Sequence, residues 1–221
     1  MHSKIRQLGF RASLQRSWAT SRSLGLRCDL AALPPRREAK IPIVMTPAQS
    51  AAEAGLLAEA KAAEGTPSTE ASDRVALCDG GVKRLYVARS EDGQARYCQW
   101  LISTDDHVKI DTLSPKLYPR PKPGEVLLEG AYTYTDSRRL GAMGDGMHQL
   151  LQIARDEGQS AAFTYVAEQY LPSIRGCANV GFELDHVRVS KRRLFLKRIT
   201  FVPADEAALE AWASATAPKP G

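Results

Sequence analysis

The stretch that most restricts the possible folds of this chain is residues 125–158, where a strand pattern runs through a basic turn into a helix pattern. Residues 125–135 are rich in β-branched and aromatic side chains, which favour a strand. Four apolar residues then recur at helical spacing, namely Met147, Leu150, Leu151 and Ala154. Gly158 ends this pattern. We therefore predict a strand followed directly by a helix with one apolar face.

The turn between these two elements, residues 136–144, contains Arg138, Arg139 and Gly141. A glycine-bearing turn that opens a helix presents free backbone N–H groups, and the positive end of the helix dipole points to the same place. Guanidinium groups beside it would strengthen binding of a phosphate. The turn is equally compatible with an ordinary strand-to-helix connection, in which glycine serves geometry and arginine serves solubility.

The elements around this segment predict a mixed α/β sheet with helices packed on it. Downstream we predict a buried strand at 160–167, a helix at 170–180, a strand pair at 184–195 and 197–202, and a short helix at 204–212. Upstream we predict strands at 24–33, 41–46, 74–77, 83–89 and 95–104, a hairpin turn at 90–94, a helix at 48–63 and an irregular loop at 105–124.

This series resembles the GNAT acyltransferase superfamily over residues 41–203, and most specifically over 125–182. The family's phosphate signature is Arg or Gln, two residues, Gly, one residue, then Gly or Ala; here Arg138 and Gly141 match it, and Met143 stands at the last position. Gly158 falls at the family's spacing, and the second helix ends in Gly181-Phe182 as the family's does. Residues 41–47 look like its first strand.

The resemblance implies a GNAT-like fold with central splayed strands and acetyl-CoA, or another acyl-CoA, as co-substrate, without a metal. The pantetheine arm would pair with the backbone of Tyr132, Thr133 and Tyr134, and the N–H near Thr133 would stabilise the oxyanion. The pyrophosphate would be held by Arg138, Arg139, Leu140, Gly141, Ala142, Met143 and Gly144. The size of Met143 is expected to crowd this approach.

The resemblance also suggests catalytic residues. Glu129 lies where the family often carries a catalytic Glu, and its alternative role is a salt bridge with a nearby arginine. Cys177 stands where many members carry the tyrosine that protonates the leaving thiolate; it is otherwise a buried helix residue. Tyr170 and Tyr165 are further candidate acids, or they simply pack. Strand alternation predicts Tyr132 and Tyr134 on one face, with Glu129 and Thr133 on the other.

Composition narrows the alternatives. The 221 residues carry a formal charge of +5, which allows an acidic or phosphorylated partner without requiring nucleic acid. The four cysteines and four histidines are dispersed, which argues against a zinc site. No run of 18 apolar residues is present, and we expect a cytoplasmic protein with reduced cysteines.

We expect three regions: a basic amphipathic arm at 1–23, the GNAT-like domain at 24–204, and a partly disordered tail at 205–221. Phe10, Leu14 and Trp18 recur every four residues in the arm, which predicts a helix. The arm is compatible with packing on the domain, with peripheral contact to a membrane or a protein, or with an organelle transit peptide. A homodimer is a further possibility.

The predicted function is acyl transfer from acetyl-CoA to an amine, the acceptor being a small molecule or a protein. The alternative is a non-catalytic acyl-CoA-binding or regulatory module that docks through its basic arm. Nucleic-acid binding through the cations at 191–193 and 197–198 is not expected, because they occupy alternating or turn positions of a strand pair.

Overall fold

The protein is described by a computed structural model in which residues 18–57, 70–193 and 196–218 are defined. The strands are β1 (Trp18–Asp29), β2 (Val44–Ala48), β3 (Leu85–Arg89), β4 (Ala95–Ile102), β5 (Glu125–Thr133), β6 (Ala161–Ala167), β7 (Glu183–Arg193) and β8 (Leu196–Pro203). The α-helices are α1 (Glu70–Asp79), α2 (His107–Leu113), α3 (Ala142–Asp156), α4 (Leu171–Asn179) and α5 (Glu206–Thr216). Short 3-10 helices follow β1, at Leu30–Ala32, and β5, at Thr135–Ser137.

The strands form one mixed sheet in the hydrogen-bonded order β2-β3-β4-β5-β6-β1-β7-β8. Pairing is antiparallel from β2 to β5 and between β7 and β8, and parallel between β5 and β6. The predicted mixed α/β fold is therefore confirmed. The chain divides into two compact units: a larger unit of residues 27–164 and 175–183, and a smaller unit of residues 1–26, 165–174 and 184–221.

The core of the larger unit is built around β4, whose Tyr97 and Trp100 are fully buried. The predicted apolar face of α3 is confirmed, because Met147, Leu150, Leu151 and Ala154 are all buried. Gly146 lets α3 approach β4 closely, since a Cβ atom at this position would lie 2.5 Å from Cδ1 of Tyr97. Strand β4 is buried on both faces, as expected for the middle of a covered sheet.

The smaller unit contains the predicted strand pair, which the structure confirms as the β7–β8 hairpin. Arg22 ties parts of this unit together, because its guanidinium lies 2.7 Å from the Glu168 carboxylate and 2.6 Å from the Asp205 carboxylate. Asp205 also caps α5 by accepting a hydrogen bond from Ala208 N–H. Arg22 therefore joins its own segment to the segments of Glu168 and Asp205, which are distant from it in sequence.

Several predicted elements are wrong in type or extent. Residues 74–77 form part of α1 instead of a strand, because a short apolar run does not distinguish the two structures. The predicted loop at 105–124 contains α2. Residues 213–216 continue α5 and are not a disordered tail.

The N-terminal region also differs from its prediction. Residues 18–23 belong to β1 and are not helical, because pairing within the sheet overrides a weak helical pattern. The rest of the predicted arm, residues 1–17, lies outside the described residues. Of the predicted helix at 48–63, residues 51–55 form turns, and 58–63 lie outside the described residues.

Candidate functional site

The turn between β5 and α3 has a backbone conformation that exposes the start of the helix. Arg139 has φ 65° and Gly141 has φ 87°, so both lie in the left-handed region. Gly141 is the N-cap residue of α3 and, as a glycine, provides no side-chain cap for the first turn. The first N–H groups of a helix lack partners within the helix, so this end can bind an anion.

A buried carboxylate in the first turn of α3 anchors the preceding segments of the chain. Asp145 has no solvent exposure and lies 2.6 Å from Arg36 Nε; it also accepts hydrogen bonds from Ala39 N–H and Gln149 Nε2. Burial alone would raise the pKa of Asp145, but these hydrogen bonds and the Arg36 charge hold it below its ordinary value. The Asp145 carboxylate is therefore occupied by contacts within the protein and is not available as an acid or a base.

Residues 36–40, which we call the connector and which Asp145 holds through Arg36 and Ala39, pack directly on the turn. Lys40 N–H donates to Leu140 O at 2.8 Å, and a Cβ atom on Gly141 would lie 3.4 Å from Ala39 Cα. The connector thus supports the turn from one side. Gly141 needs its positive φ and has little room for a side chain.

The other glycine of the turn has more space. A Cβ atom on Gly144 would meet only Val180 Cγ1, at 3.9 Å. The side chain of Met143 is directed toward α4, because a Cβ atom built on Gly176 would lie 3.2 Å from Met143 Cε. This contact accounts for a large residue at a position where the resemblance leads one to expect Gly or Ala.

Two exposed cations flank the turn. The Arg138 guanidinium lies 3.5 Å from Thr133 O, and Arg139 is also exposed. Within the described part of the chain, neither forms an ion pair. The turn therefore combines uncapped N–H groups with two uncompensated positive charges.

The parallel pairing of β5 with β6 is short. It joins Glu125–Leu127 to the residues from Ala161 to Phe163, whereas β5 continues to Thr133. The next two residues, Leu128 and Thr164, are not paired with each other. The strands thus stop pairing where the resemblance leads one to expect them to splay.

A β-bulge lies on β5 just after this point. Glu129 pairs with Trp100 and Tyr132 with Cys98, so Gly130 and Ala131 together face a single residue of β4. Gly130 has φ 67°, and a Cβ atom there would lie 2.7 Å from the Trp100 ring. Glycine is required at this position both by its conformation and by the neighbouring indole.

The bulge changes which side chains share a face of the sheet. Because directly opposed residues of antiparallel strands point to the same face, Glu129 and Tyr132 both lie on the face of Cys98 and Trp100. The predicted alternation, which put Glu129 opposite Tyr132 and Tyr134, is therefore wrong. Thr133 pairs with Tyr97 on the other face.

Glu129 is half-buried, and no hydrogen bond or ion pair is recorded for its carboxylate among the described residues. The predicted alternative role of Glu129 was a salt bridge with an arginine, and the described residues form no such salt bridge. The nearby Arg74 of α1 instead donates to the carbonyl oxygens of Gly130 and Ala131, at 3.3 and 3.1 Å. The sequence analysis did not identify Arg74, since no motif marks it.

In the backbone of residues 132–134, Thr133 is the residue whose N–H and C=O turn away from β4. Tyr134 N–H donates to Arg96 O at 3.2 Å, so it is already used between β5 and β4. Successive backbone groups of a strand point to opposite edges, and the Thr133 N–H therefore points away from β4. The side chains of Tyr132 and Tyr134 are buried, and their rings lie in edge-to-face contact at 5.3 Å.

The two predicted general acids have contrasting surroundings. Cys177 is fully buried, and burial raises the pKa of its thiol to about 12. This environment weighs against its predicted role, because a proton donor must reach the leaving group and ionise there. Tyr170 is 53% exposed and lies at the start of α4, where its backbone carbonyl accepts from Ile174 N–H. The catalytic roles of Glu129, Cys177 and Tyr170 stay predictions.

The smaller unit contains a polar aromatic cluster that the sequence did not reveal. The Tyr165 hydroxyl and His186 Nε2 lie 2.8 Å apart, and His186 Nδ1 is 2.8 Å from the Asp185 carboxylate. The rings of Tyr165 and His186 also pack with Phe201. No local sequence pattern predicts this cluster, because Tyr165 and His186 lie 21 positions apart in the sequence.

In residues 18–57, 70–193 and 196–218, no group of three or more His, Cys, Asp or Glu side chains could hold a metal ion. No helix in the part of the chain that the structure describes is long and apolar enough to cross a membrane.

Solved structures share this fold at low sequence identity. A GCN5-related glucosamine N-acetyltransferase region of a fungal multi-domain GH3 β-N-acetylglucosaminidase aligns with a TM-score of 0.52 and 14% identity, over 85% of this chain and 22% of that chain. A GNAT-family acetyltransferase from Colwellia psychrerythraea gives 0.51 and 13%, over 89% of this chain and 62% of that chain. A GCN5-related N-acetyltransferase from Sphaerobacter thermophilus gives 0.51 and 11%, over 90% and 58%.

The chain spans less than two thirds of the length of each of these proteins. No protein-family model and no curated protein matches the sequence. The strand-turn-helix at 125–156 and the three structural alignments agree, and this chain has the GNAT fold.

Proposed function

We propose that this protein is an acyl-CoA-dependent N-acyltransferase that moves an acetyl group from acetyl-CoA to an amine by direct attack. The proposal is supported by the GNAT fold and by proteins of that fold that are described as acetyltransferases. The observation that carries it is the N-terminus of α3, which begins at a glycine without a side-chain cap, beside Arg138 and Arg139, which form no ion pair among the described residues. Together these features suit a diphosphate.

The residues of the turn fit such a group by their chemistry. Backbone N–H groups of the first turn of α3 would donate to the pyrophosphate oxygens, and Arg138 and Arg139 would compensate its charge. Gly144 leaves space at the helix start, and Met143 is turned aside toward α4. Each charge-assisted hydrogen bond would contribute about 1.5–3 kcal/mol.

In the proposed transfer step, two groups close to the bulge of β5 take part, namely the Glu129 carboxylate and the Thr133 N–H. The amine nitrogen attacks the thioester carbonyl carbon, the carbon–sulfur bond breaks, and the thiolate leaves. Glu129 would take the proton that the amine loses, directly or through a water, because its carboxylate has no recorded partner among the described residues. The Thr133 N–H would stabilise the oxyanion that forms on the carbonyl oxygen.

The leaving thiolate needs a proton, and the burial of Cys177 weighs against its thiol as the donor. Tyr170, which is 53% exposed, stays the other candidate. Arg74 would support the bulge by holding the carbonyl oxygens of Gly130 and Ala131. A tight bulge fixes the direction in which the Glu129 carboxylate points, and positioning of this kind accounts for a large share of enzymatic rate.

Activity is tested by release of free CoA thiol from acetyl-CoA in the presence of a panel of primary amines. We expect thiol release that depends on the amine and that falls at least tenfold in Arg138→Ala. The matched control is Arg155→Ala at the opposite end of α3, where an exposed arginine is removed without touching the turn. Equal losses in both variants, or no thiol release with any amine, would contradict the proposal.

A second candidate function is a non-catalytic acyl-CoA-binding or regulatory module. The observation that favours it is the burial of Cys177 at the position where the resemblance leads one to expect the general acid. Acetyl-CoA would then raise the unfolding temperature without any turnover. Thermal unfolding with acetyl-CoA, run beside the thiol assay, separates the two functions.

A further inference from the structure

The β7–β8 hairpin of the smaller unit, which we call the basic hairpin, concentrates positive charge in its outer half, away from the acidic residues Glu183 and Asp185 at the start of β7. Its outer half carries five cations, at Lys191, Arg192, Arg193, Lys197 and Arg198. No ion pair is recorded within the described residues for Lys191, Arg192, Lys197 or Arg198. Residues 186–203 contain no Asp or Glu.

The register makes this concentration unfavourable for the isolated protein. Lys191 pairs directly with Arg198, and Arg192 pairs directly with Lys197. Like charges that face each other across an antiparallel pair destabilise it. Burial and the charges of Arg192 and Arg188 lower the pKa of Lys197. An anionic partner would relieve this repulsion.

The positive charge of the smaller unit lies mainly in this hairpin. The described part of the unit, residues 18–26, 165–174, 184–193 and 196–218, carries seven Lys and Arg against five Asp and Glu. Five of the seven cations lie in the outer half of the basic hairpin. A local concentration of positive charge of this kind is the electrostatic footprint expected of a protein that binds a polyanion.

One face of the basic hairpin combines cations with aromatic rings. Alternate residues of a strand point to the same face, and one face of β7 therefore carries His186, Arg188 and Arg192. Phe201 of β8 pairs with Arg188, and Lys197 of β8 pairs with Arg192, so both lie on that face as well. The span from Arg188 to Arg192 is about 13 Å at the usual rise of a strand.

The rings on this face form an organised platform. The His186 and Phe201 ring centroids lie 5.6 Å apart, and Tyr165 packs beside them at 5.5 and 6.1 Å. The Arg188 guanidinium lies 4.6 Å from the centre of the Tyr165 ring. Phe201 remains 42% exposed, so part of its ring is accessible to a ligand.

We infer that this face of the basic hairpin binds single-stranded nucleic acid. Phosphates would lie on Arg188, Arg192 and Lys197, and a base would stack on the exposed ring of Phe201. A bilayer is less well matched, because its interface calls for a continuous apolar face, whereas here cations alternate with rings whose polar atoms bond one another. From the sequence, nucleic-acid binding by these cations was not expected, because they occupy alternating or turn positions of a strand pair. In the structure the cations on both faces of the outer hairpin are exposed, so alternation does not bury any of them.

The test is fluorescence anisotropy of the full chain with a labelled 20-nucleotide oligo-uridine at several salt concentrations. The variant Arg192→Ser/Lys197→Ser should weaken binding at least tenfold and reduce the slope of log K against log salt by about 1.4. Phe201→Leu should weaken binding by about fivefold or more at every salt concentration, because stacking is not electrostatic.

The matched control is Lys83→Ser/Lys109→Ser, which removes the same charge from exposed positions of the larger unit. We expect it to bind the oligonucleotide like the parent chain. Equal weakening in both double variants would overturn the inference, because binding would then follow net charge alone. Absence of oligonucleotide binding, or salt-dependent binding only to vesicles of phosphatidylcholine and phosphatidylglycerol, would overturn it as well. Neither result bears on acyl transfer, which is assigned to other residues.

Discussion

Glu129 and Tyr132 lie on the same face of β5 although three positions separate them, because the bulge at Gly130 inserts an extra residue between them. A regular strand would send these two side chains to opposite faces. The bulge therefore decides which groups accompany the only carboxylate that the proposed chemistry uses as a base. The bulge thus connects the backbone geometry of β5 with the proposed transfer of the amine proton to Glu129.

The role of Glu129 as a base predicts a specific kinetic defect. In Glu129→Gln, kcat should fall by about 10²–10⁴-fold, because general base catalysis contributes that much, while the Kd for acetyl-CoA should not change. Thiol-release kinetics and calorimetric titration measure the two quantities. Full activity of this variant across the pH range would remove Glu129 from the mechanism.

The bulge itself predicts a stability effect that a matched glycine can isolate. Gly130→Ala should lower the free energy of unfolding by about 2–4 kcal/mol, since it combines a positive φ with a clash against Trp100. Gly93→Ala also has a positive φ, but a Cβ atom there would meet nothing within 4 Å.

The control should therefore cost only about 1–2 kcal/mol, the price of the left-handed conformation. Urea denaturation of both variants measures the difference. Equal losses would mean that the indole moves aside without cost and that the bulge is not held by its packing.

Asp145 predicts a pH dependence of stability. Its folded-state pKa lies below the ordinary value, so its contribution to stability is complete above about pH 4 and is lost as pH falls through the folded pKa. Asp145→Asn should be destabilised by about 3 kcal/mol at pH 7, the lower end for a buried pair, because Arg36 remains partly in solvent.

The difference between the parent chain and Asp145→Asn should shrink as the pH is lowered below 4. Urea denaturation between pH 3 and pH 7 gives this curve. A difference that stays constant over the whole range would show that the carboxylate charge is not what holds the connector to α3.

The two candidate acids predict opposite results. Cys177→Ala should keep most of the activity and lose about 1–2 kcal/mol of stability, because a small buried side chain is removed. Tyr170→Phe should lower kcat at least tenfold with little effect on stability, since its hydroxyl is exposed. Loss of activity in Cys177→Ala, at unchanged acetyl-CoA affinity, would instead restore the thiol as proton donor.

The sequence predicted the central part of the fold because the local signals there are strong. The apolar spacing of α3, Gly158 at its end and the β5 pattern all describe structure within a few residues. Gly141 could be identified as a turn residue because glycine readily adopts the positive φ that a tight turn requires, here 87°.

The remaining parts depend on residues far apart in sequence. Arg74 reaches carbonyl groups more than fifty positions away, and Asp145 bonds Arg36 across more than a hundred. The bulge at Gly130 follows from its pairing with β4, and the helical pattern at 18–23 gave way to pairing in the sheet. No local pattern contains this information.

The central claim is that the uncapped start of α3 and the adjacent arginines hold the diphosphate of an acyl-CoA. Isothermal titration of acetyl-CoA into the parent chain and into Arg138→Ala/Arg139→Ala tests it most directly. We predict saturable binding to the parent chain and a Kd at least tenfold higher for the double variant, with an unchanged unfolding temperature in the absence of ligand. Equal affinity of the two proteins for acetyl-CoA, or no binding to the parent chain, would contradict the account.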